Sequence, residues 1–231
     1  MSQSTSAAKN SRVNPRRRHS NFTPSQRLQK TNFWLRALKY RKDTKKTPVL
    51  NFNSQFNAHP FSNHAHLPFI WKGRPTPTSL NVYLQAEVEA LGLGGLAPRL
   101  RELAYDPRAQ ERYLSSQLPS LNPEDPMPNP LTDQWNKRKI DVMTGILERK
   151  FSENMEARQL LLRSYPRFLA LTSPNDNFWG TGLAADDPLA LLGPEVDSYG
   201  HNHLGVILMK IRERLRHADK VNISCLCSYS N

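Results

Sequence analysis

Cysteine is nearly absent from this chain: Cys225 and Cys227 are the only two in 231 residues. Two thiols one residue apart, in "ISCLCSYSN", make no disulfide framework, lack the companion ligands of a zinc site and miss the prenylation pattern. No acid precedes Asp43. No apolar run reaches about eighteen residues and no secretory leader is present, which argues against a transmembrane segment. A soluble intracellular protein is expected, cytoplasmic or nuclear, with organelle import left open. Gly-x-Gly-x-x-Gly and Walker-type loops are missing; "LGLGGLAP" has neither a preceding strand nor a following Lys-Ser, and reads as helix termination. There is no internal repeat, no assignable Ser-His-Asp set and no sign of a cofactor.

What is present divides unevenly. Residues 1–50 hold thirteen Lys or Arg against one acid, and the other 181 residues balance nineteen against nineteen. The net charge of +12 therefore belongs to a tail. Residues 1–47, rich in Ser, Asn and Arg, offer too little apolar surface to offset ordering entropy, so a disordered basic tail is expected. Arg16-Arg17-Arg18 and "KYRKDTKK" suit a nuclear import signal or a weak nucleic-acid contact. A transit peptide, a membrane-surface segment and a solvated tail without a specific role fit the same composition.

Residues 48–218 read as one mostly helical α+β domain with a few short strands, followed by a tail over 219–231. "VLNFN" and "LPFIWKGRPTPTS" predict strands around a Lys-Gly turn. Leu80, Tyr83, Leu84, Val88 and Leu91 predict a helix that Ser79 caps and Gly92, Gly94 and Gly95 end. Short helices follow near Pro98 and over "PRAQERYLSSQL". Five prolines between 119 and 130 predict an extended loop. "LTDQWNKRKIDVMTGILERKF" predicts a helix with Trp135, Val142, Ile146 and Phe151 on one stripe and Thr132 or Asp133 as cap. Ser152 is expected to cap the next helix, with Met155, Leu160 and Leu162 inward. "RFLALTS" reads as a strand, and 183–199 as a loop with one helical turn. The last helix carries Leu204, Ile207, Leu208, Ile211 and Leu215 inward, and Arg212, Arg214 and Arg216 outward.

The segment "SPNDNFWGTG" packs an acid, two aromatic rings and two glycines into ten positions. Alone it could be a turn with a buried tryptophan. Its companion "YGHNHLGVILMKIRERL" opens a helix behind a Gly-x-Asn turn, where free N–H groups form an anion site. Together these segments resemble the C-terminal signature of the NADAR (YbiA-like) family: acid, aromatic, Trp-Gly-x-Gly, then Gly-x-Asn-x-Leu-Gly and a Met-x-x-Arg helix. "PFSNHAHLPFIWKGRPTPTSLNVYLQA" is similar to the family's opening, and "WNKRKIDVMTGILERKF" to its middle helix, so the likeness spans residues 49–216.

The resemblance implies a YbiA-like fold and a pocket for nucleotide-like ligands. It also implies N-glycosidase chemistry, known in the family on ribosylamino-pyrimidines and on ADP-ribosylated guanine. Such hydrolysis needs a carboxylate beside an oxocarbenium-like sugar, a proton donor for the leaving nitrogen and a flat surface for the base. The binding residues it implies are Asn63, Asn81, Trp135, Asp176, Phe178, Trp179, Gly180, Gly182 and Asn202, with Asn202 and the helix start taking a phosphate. The ligand is a ribosyl group, free or borne on nucleic acid. The family's acids fall on Asn81 and Thr181, and its Gly-Arg step on Leu114-Ser115. No catalytic acid is assigned, and a binding module without catalysis is the alternative. Asp186, Asp187, Glu195 and Asp197 are candidate substitute acids. His64 with His66, and His201 with His203, form two His-x-His pairs at spacing weaker than a metal pattern, so no metal is expected.

Overall fold

The structure is a computed structural model that describes residues 49–53, 59–117, 130–191 and 199–228. The basic tail, the Pro-rich loop as far as Asn129, and Glu195 and Asp197 lie outside the described residues. In chain order the elements are β1 (Val49–Phe52), β2 (Phe69–Trp71), β3 (Arg74–Thr76), α1 (Ser79–Ala90), α2 (Ala97–Glu102), α3 (Pro107–Gln117), α4 (Pro130–Glu153), α5 (Met155–Arg163), β4 (Phe168–Leu171) and α6 (His203–Ser228). Single 3-10 turns occupy Gly94–Leu96 and Pro188–Leu191. This is the mostly helical α+β arrangement that the periodicity predicts.

The strands form two small sheets. β1 runs parallel to β4 with Val49 opposite Phe168 and Phe52 opposite Leu171. All four β4 residues are buried, as a continuous apolar run in a parallel pair should be. β2 and β3 form a hairpin around Lys72 and Gly73, both at positive φ (47° and 77°), as a two-residue hairpin turn requires. Ile70 gives its N–H to Glu153 Oε2 (2.7 Å), and its carbonyl accepts from Arg149 Nε (3.1 Å), so α4 grips the outer edge of β2 through side chains.

Helix α1 starts one residue earlier than Ser79 suggests. Thr78 is the cap: its backbone is extended, and its hydroxyl accepts from the Asn81 N–H at 3.1 Å. The helix closes with Leu93 N–H on Val88 O and Gly92 N–H on Glu89 O, a Schellman pair. Asp106 caps α3 by accepting from Ala109 N–H (2.9 Å), with Pro107 in the first turn.

The long helix α4 packs against α1, β2, α5 and α6. Its buried stripe is Trp135, Met143, Ile146, Leu147, Lys150 and Phe151, not the one through Val142, because 143, 146, 147 and 150 hold the 3.6-residue spacing. Thr132 and Asp133 lie inside its first turn rather than at a cap. Ser152 stays helical, its hydroxyl donating to Arg149 O, and Asn154 leads into α5 instead. There Ala157 and Leu161 are buried while Met155 is exposed. The core joins Phe52, Phe61 and Phe151 through ring contacts of 5.8 and 6.2 Å, each fully buried ring contributing roughly 1.5–3 kcal/mol. Arg212, expected in solvent, is buried; its Nη1 donates to Ser164 Oγ and Arg167 O, both at 2.9 Å, which tie the turn after α5 to α6. No helix of the described residues is long and apolar enough to cross a membrane.

Candidate active site

The segment after β4 is held first by its backbone. Thr181 N–H donates to Leu171 O, and then Gly200, His201, Asn202, His203 and Leu204 donate in turn to Thr181, Asn177, Gly180, Phe178 and Trp179 carbonyls. The His203 and Leu204 N–H groups that open α6 are thereby spent, and with them most of the phosphate seat expected there. Asn202 is spent as well: at φ 49° and fully buried, it accepts from Leu171 N–H (3.0 Å) and donates to Leu169 O (2.8 Å). A Cβ on Gly205 would run into Leu169 O, so the glycine lets α6 lie directly on β4. Gly182 sits at φ 70° against the Asn177 side chain. Gly180 packs on Leu171 O, so this glycine too makes room for backbone. Thr181 is buried and its hydroxyl accepts from Leu183 N–H at 3.2 Å, a turn contact that an aspartate could make equally. Asp176 Oδ1 accepts from Phe178 and Trp179 N–H at 3.0 and 2.8 Å, presenting the two rings side by side.

Those rings meet α1 and α4. Tyr83 lies 5.4 Å from Trp179 and 5.3 Å from Trp135, and Phe178 contacts Trp179 edge-on at 5.0 Å. Lys139 Nζ stands 3.9 Å over the Phe178 ring. Trp135, Phe178, Trp179 and Asp176 are therefore brought together, with Trp135 buried and the other three part-exposed.

One member of this cluster was not expected from sequence. Glu87, a turn beyond Tyr83, accepts from Trp135 Nε1 at 2.9 Å. Burial raises its pKa, with the Trp135 hydrogen bond and the Lys139 charge opposing. Burial likewise lowers Lys139, which Glu87 and Asp176 partly restore. Tyr83 is raised by burial and by Glu87. His203, 4.3 Å from Phe178, is lowered to about 3 by burial first, then by the neighbouring His201, Lys139 and Lys210. A half-buried carboxyl inclined to keep its proton, beside indole rings and a lysine, can donate that proton to a departing base.

Asn81 does not join the wall. It points to the opposite side of α1, where Nδ2 donates to Leu100 O (3.0 Å) and Oδ1 accepts from Gln85 Nε2 (2.8 Å) and Thr76 Oγ1 (3.2 Å). Leu80, not Asn81, shares the i, i+3, i+7 face with Tyr83 and Glu87. Asn63 is buried at the start of α1, accepting from Leu80 N–H and Ser79 Oγ. Beneath it lies Lys150, fully buried, whose Nζ donates to Ser62 O at 2.8 Å and whose pKa burial lowers to about 7. Asp186 is exposed, and Asp187 accepts from Leu189 N–H in its own turn. His64 pairs with Glu111 (3.1 Å), His66 lies tilted against Tyr105, and His201 stacks on His203. The two His-x-His pairs thus face different partners, and no group of three or more metal-type ligands occurs among the described residues.

The family model of the NADAR domain matches residues 51–216. The chain belongs to the NADAR family. N-glycosidase YbiA of Escherichia coli (strain K12) is 30% identical over 168 residues, covering 72% of this chain and 88% of that protein. N-glycosidase R617 of Acanthamoeba polyphaga mimivirus is 30% identical over 135 residues, 58% of this chain and 72% of its own. The NMR structure of E. coli YbiA superposes with a TM-score of 0.54 at 26% identity, covering 76% of this NADAR chain and 89% of that one. The fold, read from the residues as YbiA-like, is thereby shown.

Proposed function

We propose that this NADAR domain hydrolyses the N-glycosidic bond of a ribose-linked nucleotide, a ribosylamino-pyrimidine phosphate or ADP-ribosylated guanine, at the wall of Trp135, Phe178 and Trp179. The observation that carries the reading is Glu87, a half-buried carboxyl with raised pKa, hydrogen-bonded to Trp135 on the helix face that the wall covers. The family's acid positions are occupied here by Asn81 and Thr181, both engaged in structural bonds, and Glu87 supplies the missing group. The C1′–N bond breaks with its electron pair going to nitrogen, which takes the Glu87 proton. Water then adds to the sugar cation and yields its proton to Asp176, whose charge, like that of Glu87, acts on Lys139. The indole and phenyl faces support the base, Lys139 supplies a cation for phosphate, and the basic tail adds salt-sensitive contact when the substrate is nucleic acid.

The test is incubation of the full chain with both substrates, following base release by chromatography and binding by calorimetry. Release that falls by about 100-fold or more in Glu87→Gln, with binding kept, is the expected result. Binding without release in the wild type would instead establish the catalytically silent binding module.

A further inference from the structure

The face of α1 turned away from the aromatic wall looks into a cavity of about 470 Å³ between the β2–β3 hairpin, α1 and α2. Its size lies within the ordinary range for small-ligand pockets. Lys72, Arg74 and Arg101 line it against a single acid, Glu89. The floor is built rather than incidental. Asn81 is anchored on Leu100 O and holds Gln85, whose Oε1 in turn accepts from Arg101 Nη1 at 3.3 Å. Gln110 Nε2 shares the same Leu100 carbonyl at 2.7 Å, so the amide network beneath the cavity is fixed from two helices.

The hairpin turn sets the other two cations on the rim, where neither Lys72 nor Arg74 has an acidic partner among the described residues. Three cations facing one acid across a recess concentrate positive potential there, and guanidinium groups present paired donors that match phosphate oxygens. Two aromatic side chains complete the lining. Trp71 packs over Gly145 of α4, and Tyr105 is 78% exposed with its ring 5.5 Å from His66. A ring so exposed, braced by a neighbouring imidazole, gains burial when a flat group covers it.

The geometry points to a second ligand site in this cavity, one that takes a nucleotide with its phosphates on Lys72, Arg74 and Arg101 and its base against Trp71 and Tyr105. The site is independent of the glycosidase reading. Residues 81, 85 and 89 lie roughly half a helical turn from 83 and 87, so the two ligands address opposite sides of one helix. The shared chemistry is a phosphorylated nucleoside, either free or at the end of a single strand.

Calorimetry on the full chain tests it, with adenosine diphosphate, inorganic pyrophosphate and a short single-stranded oligodeoxynucleotide as probes. Adenosine diphosphate should bind, and the Arg74→Ala/Arg101→Ala pair should weaken it by about tenfold or more. Lys72→Glu, at an exposed turn where misfolding is not expected, should weaken it in the same direction. Tyr105→Ala should weaken the nucleotide and leave pyrophosphate unchanged. The oligonucleotide binding more tightly than the free nucleotide, and losing that affinity in the double variant, would place the site on a strand end. Binding of adenosine diphosphate that survives the cavity variants, or that disappears only in Trp179→Ala, would overturn the proposal, as would no binding at millimolar concentration.

Discussion

Helix α1 carries two chemistries on its two sides. On one, Tyr83 and Glu87 meet indole rings and a lysine in a setting that lifts a carboxyl pKa; on the other, Asn81 and Gln85 form a neutral amide floor under three cations. Both sides are polar within apolar surroundings, yet only the first holds a carboxyl whose pKa burial raises, while the acid of the second, Glu89, is exposed. The second is closed upon itself, and its polar atoms fix the position of Arg101. The difference shows that a buried polar residue near a site is informative only once its bonds are counted.

The sharpest way to break this comparison is to neutralise Glu87. Glu87→Gln should abolish most base release, by about 100-fold, and leave nucleotide binding in the cavity intact. Loss of both would mean that the two sides are coupled. Asn81→Asp should act the other way round: a carboxylate facing the Leu100 carbonyl loses a donor and gains repulsion, so the urea midpoint should fall by an amount corresponding to about 2–3 kcal/mol, with no gain in catalysis. An active, equally stable Asn81→Asp enzyme would restore Asn81 to the site.

Lys150, on α4, is fully buried with its Nζ on Ser62 O. Its folded pKa of about 7 lies below the unfolded value, so the unfolded chain binds more protons between about pH 7 and 10.5. Stability contributed by this group therefore rises with pH across that window, by at most about 1.4 kcal/mol per pH unit. Chemical denaturation of Lys150→Met should lack that slope relative to wild type. Smallest in stability is Trp179→Ala, in which a part-exposed ring is removed: ligand affinity at the wall should fall while far-UV circular dichroism stays near wild type.

Much of this could be read in the sequence, because spacing reports burial. The α1 and α6 stripes, the Lys-Gly hairpin and the two segments that brand the family all depend on local pattern. Where the reading failed, longer-range bonds had decided the matter. Asn202 looked like a ligand residue because its partners, Leu169 and Leu171, lie on a strand about thirty positions earlier, out of reach of any local pattern. Arg212 looked wet because nothing nearby announced the carbonyls waiting in the turn after α5. Glu87 and Lys150 did leave a trace. Each occupies the slot where the apolar stripe of its helix should continue, Glu87 after Leu80 and Tyr83, Lys150 after Met143 and Leu147. A charge in a hydrophobic slot is a question that periodicity can raise and only packing can answer.

The grip of α4 on Ile70 also bears on how this molecule behaves in a crowd. A hairpin of two three-residue strands would ordinarily offer its outer edges to any extended chain that drifts past. Here one edge has both backbone groups of Ile70 capped by Glu153 and Arg149, and the other carries Pro75, which has no N–H to offer. The hairpin consequently offers no open backbone N–H at either of these edge positions, so it can line a cavity at the surface while presenting a poor template for strand addition.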